Sequence, residues 1–213
     1  MDPLNQYCEN HSSQPDAALN DIYRSIALHT ANPNMASTPY QGLLLQLLSQ
    51  MVQPQLAVEI GSFAGYGAVC IARGVAQGGT LHVVEVDEEY EEIILTNAQR
   101  GGVAEKINLH IGAALNVIPS LPNNIDFAFV DADKENYENY YHLLLPKMRR
   151  GGLIIFDNML WYGRVLETPE TTLRCDRSTR ILQHLNQLIT QDPRVTNILL
   201  PIRDGLMIVR VEN

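Results

Sequence analysis

The chain has 213 residues, of which 46% are hydrophobic and 18% charged, and its formal net charge at pH 7 is −9. This length and composition predict a single globular domain with one sizeable core, and they exclude a collagen-like or disordered chain. The 15 basic residues are dispersed apart from Lys147, Arg149 and Arg150, which we interpret as the solvated end of a helix, and this argues against a nucleic-acid-binding protein.

The cysteines and the lack of long apolar runs favour a cytoplasmic location. Cys8, Cys70 and Cys175 are an odd number at wide spacings without a CxxC pair, which favours reduced thiols in a cytoplasmic protein. The N-terminal residues lack the basic start and apolar stretch of a secretory signal, and no apolar run approaches the ~20 residues that cross a bilayer. We therefore expect no membrane partner.

Residues 1–53 are predicted to form a helical segment that precedes an α/β core at 54–213 in the same domain. Asp16 is a candidate N-cap for one helix, and Ser37 or Thr38 for the next. Apolar residues at helical spacing in the second helix predict a stripe that faces the core. The stripe consists of Leu43, Leu44, Leu47, Leu48 and Met51.

Apolar β-rich runs alternate with helical patterns from Leu56 onward. Continuous apolar runs are typical of parallel strands that helices cover on both faces. The alternation predicts a doubly wound, Rossmann-like α/β sheet with right-handed crossovers. The predicted strands are 56–61, 80–86, 107–112, 125–131 and 152–157, and the predicted helices between them are 66–76, 88–100, 114–120 and 135–148.

The last part of the chain breaks this alternation. After a helical pattern at 178–190, two β-rich runs at 195–202 and 206–211 flank Asp204 and Gly205. An Asp-Gly pair between two such runs indicates a β-hairpin. We therefore expect a seven-stranded sheet whose last two strands form an antiparallel pair.

The loop after the first strand reads EIGSFAGYG (59–67) and indicates a nucleotide-like cofactor. The spacing of its three glycines does not match the GxGxxG dinucleotide fingerprint. The Glu59 carboxylate would repel a pyrophosphate but attract the ammonium and sulfonium groups of S-adenosylmethionine. Glu85, at the end of the second strand, can accept hydrogen bonds from ribose hydroxyls. An acid there is also a common helix cap, a role for which Asp87 is the rival.

Two further groups of polar residues end apolar runs. FVDADKENY (129–137) places Asp131, Asp133 and Lys134 after one strand, and LIIFDN ends in Asp157 and Asn158 after the next. EIGSFAGYG, VVEVD, VDADKENY and LIIFDNMLWYGRV together closely resemble the metal-dependent small-molecule O-methyltransferases, the family that includes caffeoyl-coenzyme A O-methyltransferase and catechol O-methyltransferase. The resemblance covers roughly residues 35–211.

The resemblance implies a divalent cation held by Asp131, Asp157 and Asn158. Either aspartate alone is equally well explained as a cap of the helix or turn that follows it. Together, at the carboxyl ends of adjacent strands, they favour a shared ion, because crowded carboxylates repel one another unless a cation lies among them. Ligand atoms that are all oxygen favour Mg²⁺, Ca²⁺ or Mn²⁺ over zinc.

The resemblance also implies that Asp131 and Lys134 are the catalytic residues. Lys134 would be the general base or the group that stabilises the acceptor oxygen. Alternatively, it is a solvated lysine that pairs with Glu138 one turn later. Asp133 is expected on the cofactor side of the site. The implied cofactor-binding residues are Met35, Ser37, Glu59, Gly61, Ser62, Gly67, Glu85, Ala113, Ala114, Asp131 and Asp133.

Aromatic residues follow the second acidic group. Trp161 and Tyr162 are candidates for a wall against an aromatic acceptor, although Trp161 is almost as well explained as a core residue. Arg164 either meets an acidic tail of the substrate or has no such role.

Four positions depart from the pattern of the relatives. Leu43 stands where Gln is common, Gly67 where Ser or Thr is common, and Tyr40 and Gln41 stand at commonly acidic positions. These departures bear on affinity and substrate geometry rather than on the reaction class.

We therefore expect a homodimeric O-methyltransferase that uses S-adenosylmethionine and a divalent cation to methylate a catechol-like small molecule. Two hypotheses compete with this one. The βαβ pattern and Glu85 also suit an NAD(P)-dependent oxidoreductase, which the glycine spacing and Glu59 oppose. A catalytically silent S-adenosylmethionine-binding protein would keep the same fold without the reaction.

Overall fold

A seven-stranded sheet forms the centre of the computed structural model, which describes residues 3–168 and 176–212. The strand order is β3-β2-β1-β4-β5-β7-β6; the first five strands are parallel, and β7 runs antiparallel to both of its neighbours. The predicted fold and its terminal hairpin are confirmed. The strands are β1 (Leu56–Ile60), β2 (Thr80–Glu85), β3 (Ile107–Ile111), β4 (Ile125–Val130), β5 (Met148–Phe156), β6 (Val195–Leu200) and β7 (Leu206–Val211).

The described residues form eight α-helices, joined in places by short 3₁₀ turns. Asp16 caps α2 by accepting from the Leu19 amide, and Thr38, not Ser37, caps α3 by accepting from the Gln41 amide. The first helix lies within the predicted helical segment 1–53, but it was not predicted as a separate helix, and it buries no residue. The helices are α1 (Pro3–Asn10), α2 (Ala17–His29), α3 (Pro39–Val52), α4 (Tyr66–Ala72), α5 (Glu91–Arg100), α6 (Ala114–Val117), α7 (Tyr137–Leu144) and α8 (Arg177–Gln191).

The sheet separates two hydrophobic cores. Alternate residues of a strand point to opposite faces. In β1, Ala57 therefore packs with α2, α3, α4 and α5, whereas Val58 and Ile60 pack with α6, α7 and α8. Both faces of the central strands are covered, which explains why those strands read as continuous apolar runs.

The predicted apolar stripe on α3 is only partly confirmed. Leu44 and Leu48 pack partly against the core, but Leu47 and Met51 are 47% and 80% exposed. The buried face consists of Gln41, Gly42, Leu45 and Ser49. Helix α4 comes close to this face: a Cβ at Gly42 would lie 2.6 Å from Tyr66 Cε1, and Ser49 Oγ donates to the Ile71 carbonyl oxygen at 2.7 Å. This close approach explains why small residues stand at positions 42 and 49.

The predicted boundary between the fourth core helix and the fifth strand is also wrong. The helix α7 ends at Leu144, a 3₁₀ turn follows, and β5 begins at Met148 instead of 152. The basic residues are thus not a solvated helix end: Lys147 Nζ donates to the Leu121 carbonyl oxygen at 2.8 Å, and Arg149 pairs from within the strand with Asp126. The side chains that suggested a helix end are partners for other elements.

The described thiols are free. Cys70 is buried and Cys8 is half-buried, whereas Cys175 lies outside the described residues. Within residues 3–168 and 176–212, every helix is too short or too polar to span a bilayer.

The sheet order places a binding site between β1 and β4. The chain leaves β1 toward one edge of the sheet and β4 toward the other, and ligands of α/β proteins bind at such a switch point. The two loops touch there. Gly61 has φ of +78°, and a Cβ on it would lie 2.1 Å from the Asp131 carbonyl oxygen.

We expect Gly61→Ala to destabilise the fold more than a matched glycine substitution. Gly78 has almost the same φ, +76°, but nothing lies within 4 Å of its Cβ position. Gly78→Ala should therefore cost only the left-handed conformation, about 1–2 kcal/mol. Gly61→Ala should cost about 1–3 kcal/mol more, because the backbone of the Asp131 loop must move.

Urea denaturation of both variants and the wild type measures this difference. Equal losses of unfolding free energy would show that the two loops do not need their close approach.

Candidate active site

One cavity of about 1560 Å³ opens at the switch point. This volume exceeds the range usual for a single small ligand, so the cavity has room for a donor and an acceptor together. All of the site residues predicted from the sequence line it: Met35, Ser37, Glu59, Gly61, Ser62, Gly67, Glu85, Ala113, Ala114, Asp131, Asp133, Lys134, Asp157, Asn158, Trp161 and Tyr162.

Glu59 is the penultimate residue of β1, just before the glycine loop, and is 1% exposed. Burial raises the pKa of its carboxyl group to about 8; the hydrogen bond from Ser62 opposes this shift, and the charges of Asp131 and Glu85 add to it. Ser62 Oγ lies 2.6 Å from Glu59 Oε2. This part of the cavity therefore holds a buried acid that a cationic ligand would cause to ionise.

Glu85 shapes the glycine loop. Its Oε2 accepts from the backbone amides of Ser62 and Phe63 at 2.9 and 2.8 Å, and its Oε1 accepts from those of Val86 and Asp87 at 2.8 and 3.1 Å. A carboxylate with four such donors is fixed in position. Glu85 thus joins the loops that follow β1 and β2.

Asp87 caps the start of the next helical segment. Its carboxylate accepts from the Glu89 amide at 3.0 Å. The alternative that Glu85 is merely a helix cap is therefore wrong, because its four backbone donors come from two loops rather than from a helix start. Ala113 and Ala114 stand at the beginning of α6, on the same side of the cavity.

Gly67 leaves space for the Glu59 carboxylate. A Cβ at position 67 would lie 2.5 Å from Glu59 Oε1 and 3.6 Å from Ser37 Oγ. Ser37 is buried, whereas Met35 is 57% exposed at the cavity. A Ser or Thr side chain at position 67 would therefore collide with the Glu59 carboxylate in its present position.

Asp157 follows β5 and is 1% exposed. Its Oδ2 accepts from Gln41 Nε2 at 2.7 Å, and its Oδ1 accepts from the Asn158 amide at 2.7 Å. Burial and the charge of Asp131 raise the pKa of the Asp157 carboxyl group to about 6, against the effect of Gln41, Asn158 and Arg203. Asp131 and Asp157 are therefore close enough to repel each other.

Asn158 is held by the loop between β6 and β7. Its φ is +58°, and its Nδ2 lies 3.4 Å from Asp204 Oδ2. The Met159 and Leu160 amides donate to the carbonyl oxygens of Gly205 and Asp204 at 3.0 and 2.8 Å. Because the amide nitrogen faces Asp204, the amide oxygen of Asn158 is its available ligand atom.

Lys134 is 11% exposed and points into the acidic cluster rather than into solvent. Its Nζ lies 3.0 Å from Asp131 Oδ1 and 2.6 Å from Tyr137 Oη. The alternative in which it pairs with Glu138 is wrong, because Glu138 faces His142 and His184 instead. Lys134 thus belongs to the site.

Asp133 lies on the same loop, with both carboxylate oxygens bound. Oδ1 accepts from Tyr140 Oη at 2.5 Å, and Oδ2 accepts from Asn136 Nδ2 at 2.5 Å. Burial, followed by the hydrogen bond to Asp133, raises the pKa of Tyr140 well above its ordinary value, so the phenol stays a donor.

Sequence reasoning missed Gln41 and Arg203. Gln41 is fully buried, and its amide group donates to Asp157 and accepts from the Arg203 guanidinium. Arg203 and Asp204 line the cavity from the hairpin loop. The available signal was that Gln41 stands where relatives commonly have an acidic residue. The contacts among positions 41, 157 and 203 could not be predicted, because these positions are far apart in the sequence.

Trp161 and Tyr162 both line the cavity. Trp161 also packs partly against the core that contains α7 and α8, so the two explanations for it are compatible. Tyr162 is 81% exposed. Arg164 is not among the cavity-lining residues; it forms ion pairs with Glu167 and Asp176.

Two solved structures share this fold over nearly the whole chain. The O-methyltransferase from Bacillus cereus, solved in complex with S-adenosylhomocysteine, has a TM-score of 0.86 and 27% identity, with 98% of this chain and 97% of that chain covered. TomG from Streptomyces achromogenes, an O-methyltransferase involved in tomaymycin synthesis and solved with S-adenosylmethionine, has a TM-score of 0.87 and 25% identity, with 99% and 96% covered. The fold and the switch-point site define an S-adenosylmethionine-dependent methyltransferase.

Sequence comparison identifies the family. The model of the O-methyltransferase family matches residues 9–212. Caffeoyl-CoA O-methyltransferase from Eucalyptus gunnii is 32% identical over 98% of this chain and 87% of its own length, and flavonoid 3′,5′-methyltransferase from Vitis vinifera is 35% identical over 80% and 76%. The chain belongs to the O-methyltransferase family. The predicted family, enzyme class and methyl donor are confirmed, and the oxidoreductase hypothesis has no support.

We expect Glu59→Gln to remove a pH dependence of stability. The folded-state pKa of about 8 lies above the ordinary 4.5, so the wild type loses stability as the pH rises from 4.5 through 8. In the protein without ligands, the unfolding free energy of Glu59→Gln minus that of the wild type should grow between about pH 5 and 8 and then level off.

Urea denaturation across this pH range checks the expectation. Glu105→Gln, a substitution at an exposed glutamate outside the cavity, should differ from the wild type by a constant amount. A flat difference for Glu59→Gln would contradict the raised pKa.

Proposed function

We propose that this enzyme methylates one hydroxyl of a vicinal dihydroxy aromatic small molecule, with a divalent cation held by Asp131, Asp157 and Asn158. The observation that carries the proposal is the pair of carboxylates at the ends of adjacent strands, Asp131 and Asp157: burial, followed by the charge of Asp131, raises the pKa of Asp157 to about 6. A dication among these groups would relieve their mutual repulsion. The relatives named for caffeoyl-CoA and flavonoids support an aromatic acceptor.

The ligand chemistry fits a hard ion. Two carboxylates and one amide oxygen suit Mg²⁺ best, with Ca²⁺ or Mn²⁺ as alternatives. Among the described residues, no group of three or more His, Cys, Asp or Glu side chains is arranged for a metal, so the proposed site needs the Asn158 amide oxygen as its third ligand. When bound, the cation supplies Lewis acidity, which lowers the pKa of a hydroxyl that chelates it.

Lys134 is assigned to the stabilisation of the acceptor oxygen. Asp131 Oδ1 and Tyr137 Oη each accept one of its three ammonium protons, so one proton is left for a hydrogen bond to the acceptor. Asp131 links this lysine to the acidic cluster. The Lys134 ammonium group would stabilise the negative charge that develops on the acceptor oxygen.

The donor end is assigned to S-adenosylmethionine, which supplies the methyl group. Glu59 would ionise against its cationic methionine part, and Glu85 would face the ribose. Ser37, Ser62 and Asp133 line the same cavity. The remaining small residues at the loop and at the start of α6 let the backbone approach the cofactor.

The acceptor side is assigned to Trp161 and Tyr162. Flat aromatic faces at the cavity suit stacking against an aromatic ring. Alignment of the acceptor oxygen with the methyl carbon would then supply much of the rate, because transfer needs an in-line geometry.

We expect Asp157→Asn to lower methyl transfer to a vicinal diphenol at least ~100-fold, because it removes charge from the cation site without changing its shape. EDTA should abolish the activity of the wild type. Asp126→Asn is the control: Asp126 is a buried carboxylate at the opposite end of β4, bound to the Gln55 and Leu56 amides.

The control should lose stability but keep its activity per folded molecule. A labelled methyl-transfer assay with and without chelator measures both effects. Wild-type activity that survives exhaustive chelation would refute the proposal that the reaction requires a divalent cation.

We expect Gln41→Leu to raise the Mg²⁺ concentration for half-maximal activity about 10–100-fold, because Asp157 would lose the donor that orients it. Gln50→Leu, an exposed substitution on the same helix, should leave the Mg²⁺ requirement unchanged. Identical Mg²⁺ titrations for the two variants would exclude an orienting role for Gln41.

A further inference from the structure

The cavity is more anionic than cationic in the part of the chain that the structure describes. Besides the buried Glu59, six carboxylates line the cavity, whereas Lys134 and Arg203 are the lining cations among the described residues. The carboxylates are those of Glu9, Glu85, Asp131, Asp133, Asp157 and Asp204.

Both lining cations already have partners inside the protein. Lys134 is held by Asp131 and Tyr137. The Arg203 guanidinium donates to Gln41 and lowers the pKa of Asp157 through its charge. Their positive charges therefore compensate the acidic cluster, and neither is left to pair with phosphates on the tail of an acceptor.

The N-terminal helix adds no Lys or Arg side chain to the cavity. Leu4, Asn5, Cys8 and Glu9 of α1 line the cavity, so one face of this helix covers it. The first Lys or Arg in the sequence is Arg24. The segment that covers the cavity thus presents a carboxylate to a ligand, and no cation.

This charge balance opposes a polyphosphorylated acceptor. Adding a dication and the singly charged methyl donor still leaves the described lining net negative. Proteins recognise phosphates with Arg, Lys or helix N-termini, and like charges brought together across a binding surface cost affinity.

From this charge distribution we infer that the enzyme takes uncharged or cationic vicinal diphenols and discriminates against the coenzyme A thioesters for which several relatives are named. The inference rests on the proposed function, because it specifies the acceptor class of the same cavity. The ring-binding chemistry is shared by both kinds of acceptor, so the discrimination arises from the charge of the tail.

Two acceptors with the same dihydroxycinnamoyl group test the inference. The full-length enzyme is assayed with labelled S-adenosylmethionine and Mg²⁺ on the neutral methyl ester and on the coenzyme A thioester. We expect kcat/KM to be at least about tenfold higher for the methyl ester. Raising NaCl from about 20 to about 200 mM should lower KM for the thioester and leave KM for the methyl ester unchanged, because salt screens repulsion.

A charge-reversal variant tests the cause of the discrimination. Glu9→Lys should raise the ratio of kcat/KM for the thioester to that for the methyl ester by about threefold or more. Glu105→Lys makes the same change in net charge at an exposed position outside the cavity, and it should leave the ratio unchanged.

The outcomes separate this inference from the proposed function. A thioester that is used within tenfold of the methyl ester, or better, overturns the inference alone. A preference for the methyl ester that neither salt nor Glu9→Lys alters also overturns it, because the preference would then not depend on charge. If neither compound is methylated, the proposed function is wrong and the inference falls with it.

Discussion

The site depends on the mutual repulsion of carboxylates that parallel strands bring to one edge of a sheet. β1, β4 and β5 are neighbours, and each has an acid within one residue of its carboxyl end: Glu59, Asp131 or Asp157. Buried and half-buried acids this close cannot all ionise without compensation. The protein compensates each one differently: protonation at Glu59, an ammonium group at Asp131, and amide donors at Asp157.

These three means of compensation match the two ends of the cavity. A protonated Glu59 can ionise when a cationic donor arrives, so its burial favours a positively charged cofactor. Asp131 and Asp157 both line the cavity, and the proposed cation would lie between them. The methyl donor and the acceptor would therefore lie in the electrostatic field of the same carboxylates. The negative sign of this field also bears on which acceptors the enzyme excludes.

The antiparallel hairpin contributes to the site as well as to the sheet. Its loop carries Arg203 and Asp204 and binds the backbone that follows Asn158. Gly205 has φ of +94°, and a Cβ there would lie 2.5 Å from a side-chain atom of Leu160. The two loops are therefore built against each other, and the geometry of Asn158 depends on strands that lie at the far end of the chain.

The sequence by itself determined the succession of strands and helices along the chain, the hairpin with its Asp-Gly turn, and the acids near the ends of the strands. Because parallel strands share one carboxyl edge, these local patterns were enough to predict that Glu59, Asp131 and Asp157 line a common cavity. Only the tertiary structure decided the buried face of α3, the start of β5 and the contacts of Gln41 with Asp157 and Arg203. Each of these depends on which side chains from distant segments come within a few ångströms, and periodicity along one segment carries no information about that distance.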